Sequence, residues 1–220
     1  MKLLWQLCWS RFNGLIDTAN LRRLVYDTLD ECFLKNSPVR FQAGSVNVAD
    51  GRLIQADASY PNLLDYVIAS TAIPVVMPVS IIGDQPLVDG GIRDVAPLAP
   101  AIDGGADDIV CILCQPADMT GAKVSLGKLE EFAERVMEIV VNETVNNDLQ
   151  RAQEINEHCP EDGSLVADGP YKGYRRVSLT VIRPPASLNV ALTDFTVNDI
   201  KRLYEDGRAA ARKALAEGTD

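Results

Sequence analysis

Apolar residues first recur at helical spacing: Leu21, Leu24, Val25, Leu29, Cys32 and Phe33 share one stripe, and Asp17, Thr18 and Asn20 offer N-cap oxygens just before it. The pattern predicts one helix over 21–34. The periodicity then shortens into two extended runs, 39–48 and 52–58, on either side of Asp50-Gly51, a dipeptide that accepts two positive φ values and predicts a tight hairpin turn. Leu63, Leu64, Val67, Ile68 and Thr71 return to helical spacing, a short helix that Pro74 is expected to terminate. Pro78, Ile81 and Ile82 lead into a Gly83-Asp84 turn and a strand over 86–88 that runs into Asp89.

Farther along, 97–102 reads as a short helix closed by Gly104-Gly105. The almost unbroken apolar run 109–113 predicts a strand covered on both faces, central and parallel. A long outer-layer helix follows over 126–156, because Leu129, Phe132, Ala133, Val136, Ile139, Val140, Leu149 and Ala152 keep close to one stripe. The stretch 158–173, rich in Gly, Asp and Pro, reads as a loop, and 177–182 as a strand stopped by Pro184-Pro185. Ile200, Leu203, Tyr204, Gly207, Ala211 and Leu215 mark a last amphipathic helix, with Thr196 as its N-cap and Gly218 as its stop. Alternating helices and buried strands place the chain in the α/β class, as a three-layer α/β/α sandwich forming a single domain over 1–220.

Composition sharpens the function classes more than the fold. With 220 residues, 47% hydrophobic and 24% charged, the chain is long enough to bury one globular core. A net charge of -10 without a Lys/Arg cluster disfavours nucleic acid, since an acidic surface repels phosphates. Five scattered cysteines, with Cys111-x-x-Cys114 inside a strand-like run, predict reduced thiols in a cytoplasmic setting. Zinc lacks a second Cys/His pair at ligand spacing, His158 being the sole histidine, so no metal and no cofactor is expected. Met1 to Trp9 is apolar after Lys2 but contains Gln6 and leads to no small-residue cleavage site, unlike a signal peptide. No apolar run reaches the ~20 residues that span a bilayer, which leaves peripheral membrane attachment through a Trp/Leu-rich surface segment as the open alternative.

The chemistry centres on Leu87-Val88-Asp89-Gly90-Gly91-Ile92, preceded by Ala69-Ser70-Thr71-Ala72-Ile73-Pro74 and followed by Arg93-Asp94-Val95-Ala96-Pro97-Leu98. An acid that ends an apolar run before two glycines reads as a carboxylate at a strand end, on a turn whose backbone takes φ > 0 and can approach a ligand. The alternative is an Asp that merely caps a turn.

These residues resemble the later part of a patatin-like phospholipase domain. The resemblance rests on the order of features: Gly14-Leu15-Ile16-Asp17, the strand ending at Ser45 to Gly51, Ala-Ser-x-Ala-x-Pro, Asp-Gly-Gly, Pro97-Leu98, then Gly104-Gly105-Ala106-Asp107 before an apolar strand. It spans about residues 14 to 215. It implies an α/β/α lipid acyl hydrolase that uses a serine and an aspartate, with Asp89 at the position of the catalytic Asp and Gly90, Gly91, Ser70 and Pro74 in the active-site loops. Having one histidine fits a dyad better than a Ser-His-Asp triad.

The chain departs from that pattern early. It has neither the Gly-rich oxyanion loop nor a Gly-x-Ser-x-Gly elbow: Ser45 follows Gly44 but has Asn47 where the second Gly is needed, and Ser125 has Lys123 before it. A chain without these parts is expected to be inactive alone, to supply the aspartate to a complementing N-terminal segment, and to self-associate or bind lipid through uncovered apolar surface. Truncation, one half of a split enzyme, and a non-catalytic lipid- or protein-binding homologue all remain open.

Overall fold

The computed structural model describes residues 14, 16–120, 129–188, 190 and 196–217, and is a mixed α/β structure. It divides into two compact units, Met1–Asp94 and Val95–Asp220.

The first unit runs α1 (Ala19–Thr28), α2 (Glu31–Asn36), β1 (Ala43–Asn47), β2 (Leu53–Ala56), α3 (Leu63–Ala69), β3 (Ser80–Ile82) and β4 (Gln85–Asp89). Its strands form one antiparallel sheet in the order β2-β1-β4-β3. The register sets Ala43 against Ala56, Ser45 against Ile54 and Asp89, and Asn47 against Leu87, so these side chains share a face. On that face Ala56 and Leu87 bury against Leu63, Tyr66 and Ala69 of α3, with Ile54 and Ile82 at the margin. On its other side α3 packs Leu64 and Ile68 against Val25 of α1.

The helix expected over 21–34 is two helices. Leu29 is extended, and the Asp30 carboxylate accepts the N–H of Phe33 at 3.1 Å, so Asp30 begins a new helix instead of continuing the old one. The apolar stripe carries across the break because Leu34 of α2 reaches the same core as Leu21 and Val25, which hides the break from periodicity. The hairpin turn also differs: Val48–Gly51 is a four-residue loop closed by Asn47 N–H to Arg52 C=O at 2.9 Å, and Gly51 alone takes a positive φ, of 73°. The helix α3 stops at Ala69, five residues before Pro74. The Ser70 and Thr71 hydroxyls donate to the carbonyls of Val67 and Ile68, each at 2.8 Å, and end the helix before proline has to.

The second unit runs α4 (Leu98–Asp103), β5 (Asp108–Ile112), α5 (Leu129–Glu157), β6 (Ser178–Ile182) and α6 (Val197–Glu217). β5 and β6 pair in parallel, Asp108 opposite Ser178 through Ile112 opposite Ile182, as expected for the direction of β5. Leu98, Cys111, Leu113, Val145 and Leu149 form the core. Arg183, just past β6, fastens this unit by donating to the carbonyls of Gln115 (3.1 Å) and Pro116 (2.7 Å) and to Asn146 Oδ1 (3.0 Å).

Among the described residues β5 is not central: it belongs to a two-stranded sheet, and Val110 and Ile112 are 55% and 74% exposed. A continuous five-residue apolar run has no period, so it cannot tell a strand covered twice from one covered once. Among the described residues the α5 stripe is buried from Asn142 onward, at Val145 and Leu149, whereas Phe132, Val136, Ile139 and Val140 are exposed. Thr196 caps α6 as expected: its hydroxyl accepts the Asp199 N–H at 3.1 Å, and Asp199 Oδ2 accepts the Thr196 N–H at 3.1 Å. Residues 126–128 and Gly218 lie outside the described residues.

Candidate active site

Asp89 is the last residue of β4, and a single 3₁₀ turn, Gly90–Ile92, follows it. Its N–H donates to the Ala72 carbonyl at 3.0 Å, tying the end of β4 to the Ala-Ser-x-Ala-x-Pro segment. Its Oδ1 accepts the Gly91 N–H at 2.7 Å. Asp89 therefore does cap the turn, as the simpler sequence reading had it, but that uses one carboxyl oxygen and, among the described residues, leaves the other uncommitted. Burial pushes the carboxyl above the usual carboxylate range, and the Gly91 N–H pulls it partly back. Asp94, five residues on, is also pushed up by burial.

The two glycines are needed for a reason other than the expected one. Neither has a positive φ. A Cβ on Gly90 would lie 2.7 Å from the carbonyl carbon and oxygen of Gly44 on β1, and one on Gly91 would lie 3.1 Å from Asp89 Oδ1. Gly90 lets the turn close onto the sheet backbone, and Gly91 lets its own N–H reach the carboxylate. Arg93 then donates from Nη1 to the Gly51 carbonyl, linking the turn to the β1–β2 loop.

Ser70 sits at the end of α3 with its hydroxyl donated to Val67 C=O, so it serves the helix terminus, and Pro74 opens the turn beyond it. That turn is strained: Val75, a β-branched and exposed residue, has φ 70°. Such a residue persists only where its surroundings over-determine it, and the Met77 N–H to Ile73 C=O bond, at 2.8 Å, closes the turn around it. Beside it lies a cleft of about 310 Å³ lined by Asp17, Arg22, Thr71, Ala72, Met77 and Ser80, so the residue that accepts the Asp89 N–H also forms part of the cleft wall.

The structure thus brings Asp89, Gly90, Gly91 and the 69–74 segment together and turns the Ser70 hydroxyl to local work. Among the described residues, the Asp89 carboxyl's hydrogen-bond donor is Gly91 N–H, and no group of three or more His, Cys, Asp or Glu side chains is placed to hold a metal ion. Sequence reasoning missed Ser45, which is completely buried directly opposite Asp89.

Residues 3–102 match the family model of the patatin-like phospholipases. Over that stretch, a little under half of the chain, the sequence is similar to the patatin-like phospholipases. No curated protein matches the chain. The patatin-like stretch holds the whole antiparallel sheet, the Ala-Ser-x-Ala-x-Pro segment and Asp-Gly-Gly; it ends within α4, whereas the motif resemblance extends to about residue 215. The family is one of lipid acyl hydrolases. Among the described residues no helix is long and apolar enough to cross a membrane.

Proposed function

We propose that this chain contributes the proton-accepting aspartate, Asp89, to a patatin-like lipid acyl hydrolase site whose nucleophilic serine comes from outside these 220 residues. The observation that carries the reading is the state of the Asp89 carboxyl: buried at a strand end, oriented through one oxygen by Gly91 N–H, and raised in proton affinity. A serine hydroxyl brought to the second oxygen could pass its proton to the carboxylate as it attacks an ester carbonyl, giving an acyl-enzyme that water then cleaves. A raised proton affinity narrows the gap between base and alcohol and so favours that transfer. His158, the sole histidine, has local partners in the second unit: its ring stacks on Tyr171 with centroids 4.5 Å apart and its Nδ1 lies 2.7 Å from the Glu154 carbonyl.

Without elbow or oxyanion donors the chain alone should not turn over; loss of such donors by itself costs roughly a hundredfold or more. The purified chain should resist labelling by a fluorophosphonate probe. Joined to a segment carrying the Gly-rich loop and Gly-x-Ser-x-Gly elbow, it should hydrolyse lipid acyl esters in a manner that Asp89→Asn abolishes. Strong labelling of one of the chain's own serines, or an Asn variant at the parent rate, would reject the assignment.

The missing elbow also favours a second reading, a homologue that binds lipid or protein without cutting it. In that case the complemented form would bind liposomes or a protein partner at the membrane surface of the cytoplasm and show no turnover.

A further inference from the structure

Ser45 is 0% exposed, and its hydroxyl has no hydrogen-bond partner among the described residues. A buried hydroxyl left unpaired is costly, and native folds retain few of them. Its position on the sheet indicates the missing partner. Ser45 lies directly opposite Asp89 in the antiparallel β1–β4 pair, so the two side chains emerge on the same, α3-covered face. Directly opposed residues have Cβ atoms about 4.5–5.5 Å apart, a gap that one hydroxyl-to-carboxylate hydrogen bond can span. Across its other edge Ser45 faces Ile54, which offers no polar atom from its side chain.

Two further features draw the pair together. Gly90, lacking a Cβ, lets the turn after Asp89 press onto the β1 backbone at Gly44, right beside Ser45. The Gly91 N–H occupies Asp89 Oδ1 and, among the described residues, leaves Oδ2 open. We propose that Ser45 is a positioning residue whose hydroxyl donates to the ionised Asp89 carboxylate, fixing the base's rotamer and holding it ready to accept a proton. The bond forms on ionisation: a neutral carboxyl offers the hydroxyl a weaker acceptor, and the charged one about twice the strength.

Other charged or titratable groups on the surrounding elements are already engaged or separate. Arg93 donates to the Gly51 carbonyl; Asp65 of α3 accepts from Tyr26 at 2.6 Å and pairs with Arg22 at 3.5 Å; Tyr66 of α3 packs edge-on to Tyr60. Asp94 follows the turn, with its N–H donated to Gly90 C=O at 2.9 Å, and β1 and β2 carry no charged residue.

The inference rests on the reading of Asp89 as the base, but its test needs no turnover. In the full 220-residue chain, the Asp89 carboxyl ¹³C resonance, identified by its loss in Asp89→Asn, is titrated in the parent, Ser45→Ala and Ser45→Cys. Loss of one hydrogen bond to a charged group should raise the midpoint in Ser45→Ala by about one pH unit. Ser45→Cys, close in shape but a weak donor, should move the same way and covers the case in which the Ala variant does not fold. Midpoints unchanged from the parent in the folded variants would overturn the proposal. That result would leave Asp89 as the base untouched, just as a failed complementation assay would leave the hydrogen bond measurable.

Discussion

Replacing Gly90 by alanine tests the site at its tightest point. The added methyl would lie 2.7 Å from the Gly44 carbonyl carbon and oxygen and 3.1 Å from the Ser45 nitrogen, all of them backbone atoms. β1 is paired on both edges, with β2 and β4, so it cannot retreat, and the turn must lift away. Overpacking of this kind costs about 1–3 kcal/mol. Displacing the turn also strains the Gly91 N–H to Asp89 bond, worth about another 0.5–1.5 kcal/mol. The sum, about 1.5–4.5 kcal/mol, corresponds to a Tm lower by at least about 6 °C for a transition the size of the first unit. Thermal and urea unfolding followed by circular dichroism would measure it, with Gly207→Ala as the control. Gly207 lies inside α6, and a methyl added there would meet no atom within 4 Å, so alanine at this position should stabilise by about 0.5–1 kcal/mol. A Gly90→Ala protein that melts within a degree of the parent would refute the close approach and remove one support for the Ser45–Asp89 contact.

Asp89→Asn should reveal the cost of ionising a buried acid. Because the folded carboxyl holds its proton more tightly than the unfolded one, stability falls as pH rises from about 4, the unfolded value, through the folded midpoint. The Asn variant should therefore gain stability relative to the parent between about pH 4 and pH 7 in urea titrations, and a constant difference would contradict the shift. Leu87→Ala, at a fully buried position under α3, should cost about 2–5 kcal/mol in the same assay; a cost under about 1 kcal/mol would mean the sheet face is not closed. Thr196→Ala removes the α6 cap and should cost about 0.5–2 kcal/mol, with Thr196→Ser close to neutral. Leu3, Leu4, Trp5, Leu7 and Trp9, outside the described residues, should drive self-association or liposome binding. Sedimentation with and without residues 1–12 checks this, and a monomer indifferent to liposomes would exclude it.

Legibility in the sequence followed the range of the signals. Gly83-Asp84 announced the hairpin that delivers Asp89, Thr196 announced the α6 cap, and Gly104-Gly105 the end of α4, because each acts on its immediate neighbours. The split at Asp30 was hidden because both helices turn apolar residues toward one core, so the stripe outlasts the helix. The exposure of Val110 and Ile112 was hidden because a run that is apolar throughout carries no phase. At the site, Asp89 stood out by its glycines, yet the reason for those glycines was misread: closeness to Gly44 is a relation between residues far apart in the chain. Ser45 was unreadable for the same reason, since a serine in a strand acquires meaning only from the residue opposite it.

The parallel pairing of β5 with β6 has a kinetic consequence. The strands of the first hairpin meet across a four-residue loop, whereas Asp108 must find Ser178 across an intervening stretch that includes all of α5. Closing a flexible loop of about 70 residues carries an entropic cost of roughly 4 kcal/mol before any ladder bond forms. A preformed α5 shortens the search by turning 29 residues of that stretch into a rod, and Asn142 and Asn146, one turn apart on it, meet Arg183 once β6 arrives. Refolding of the second unit should therefore follow the helix rather than the sheet, so that a helix-breaking substitution on the solvent side of α5, such as Glu143→Gly, slows its folding more than an equally destabilising change within β6.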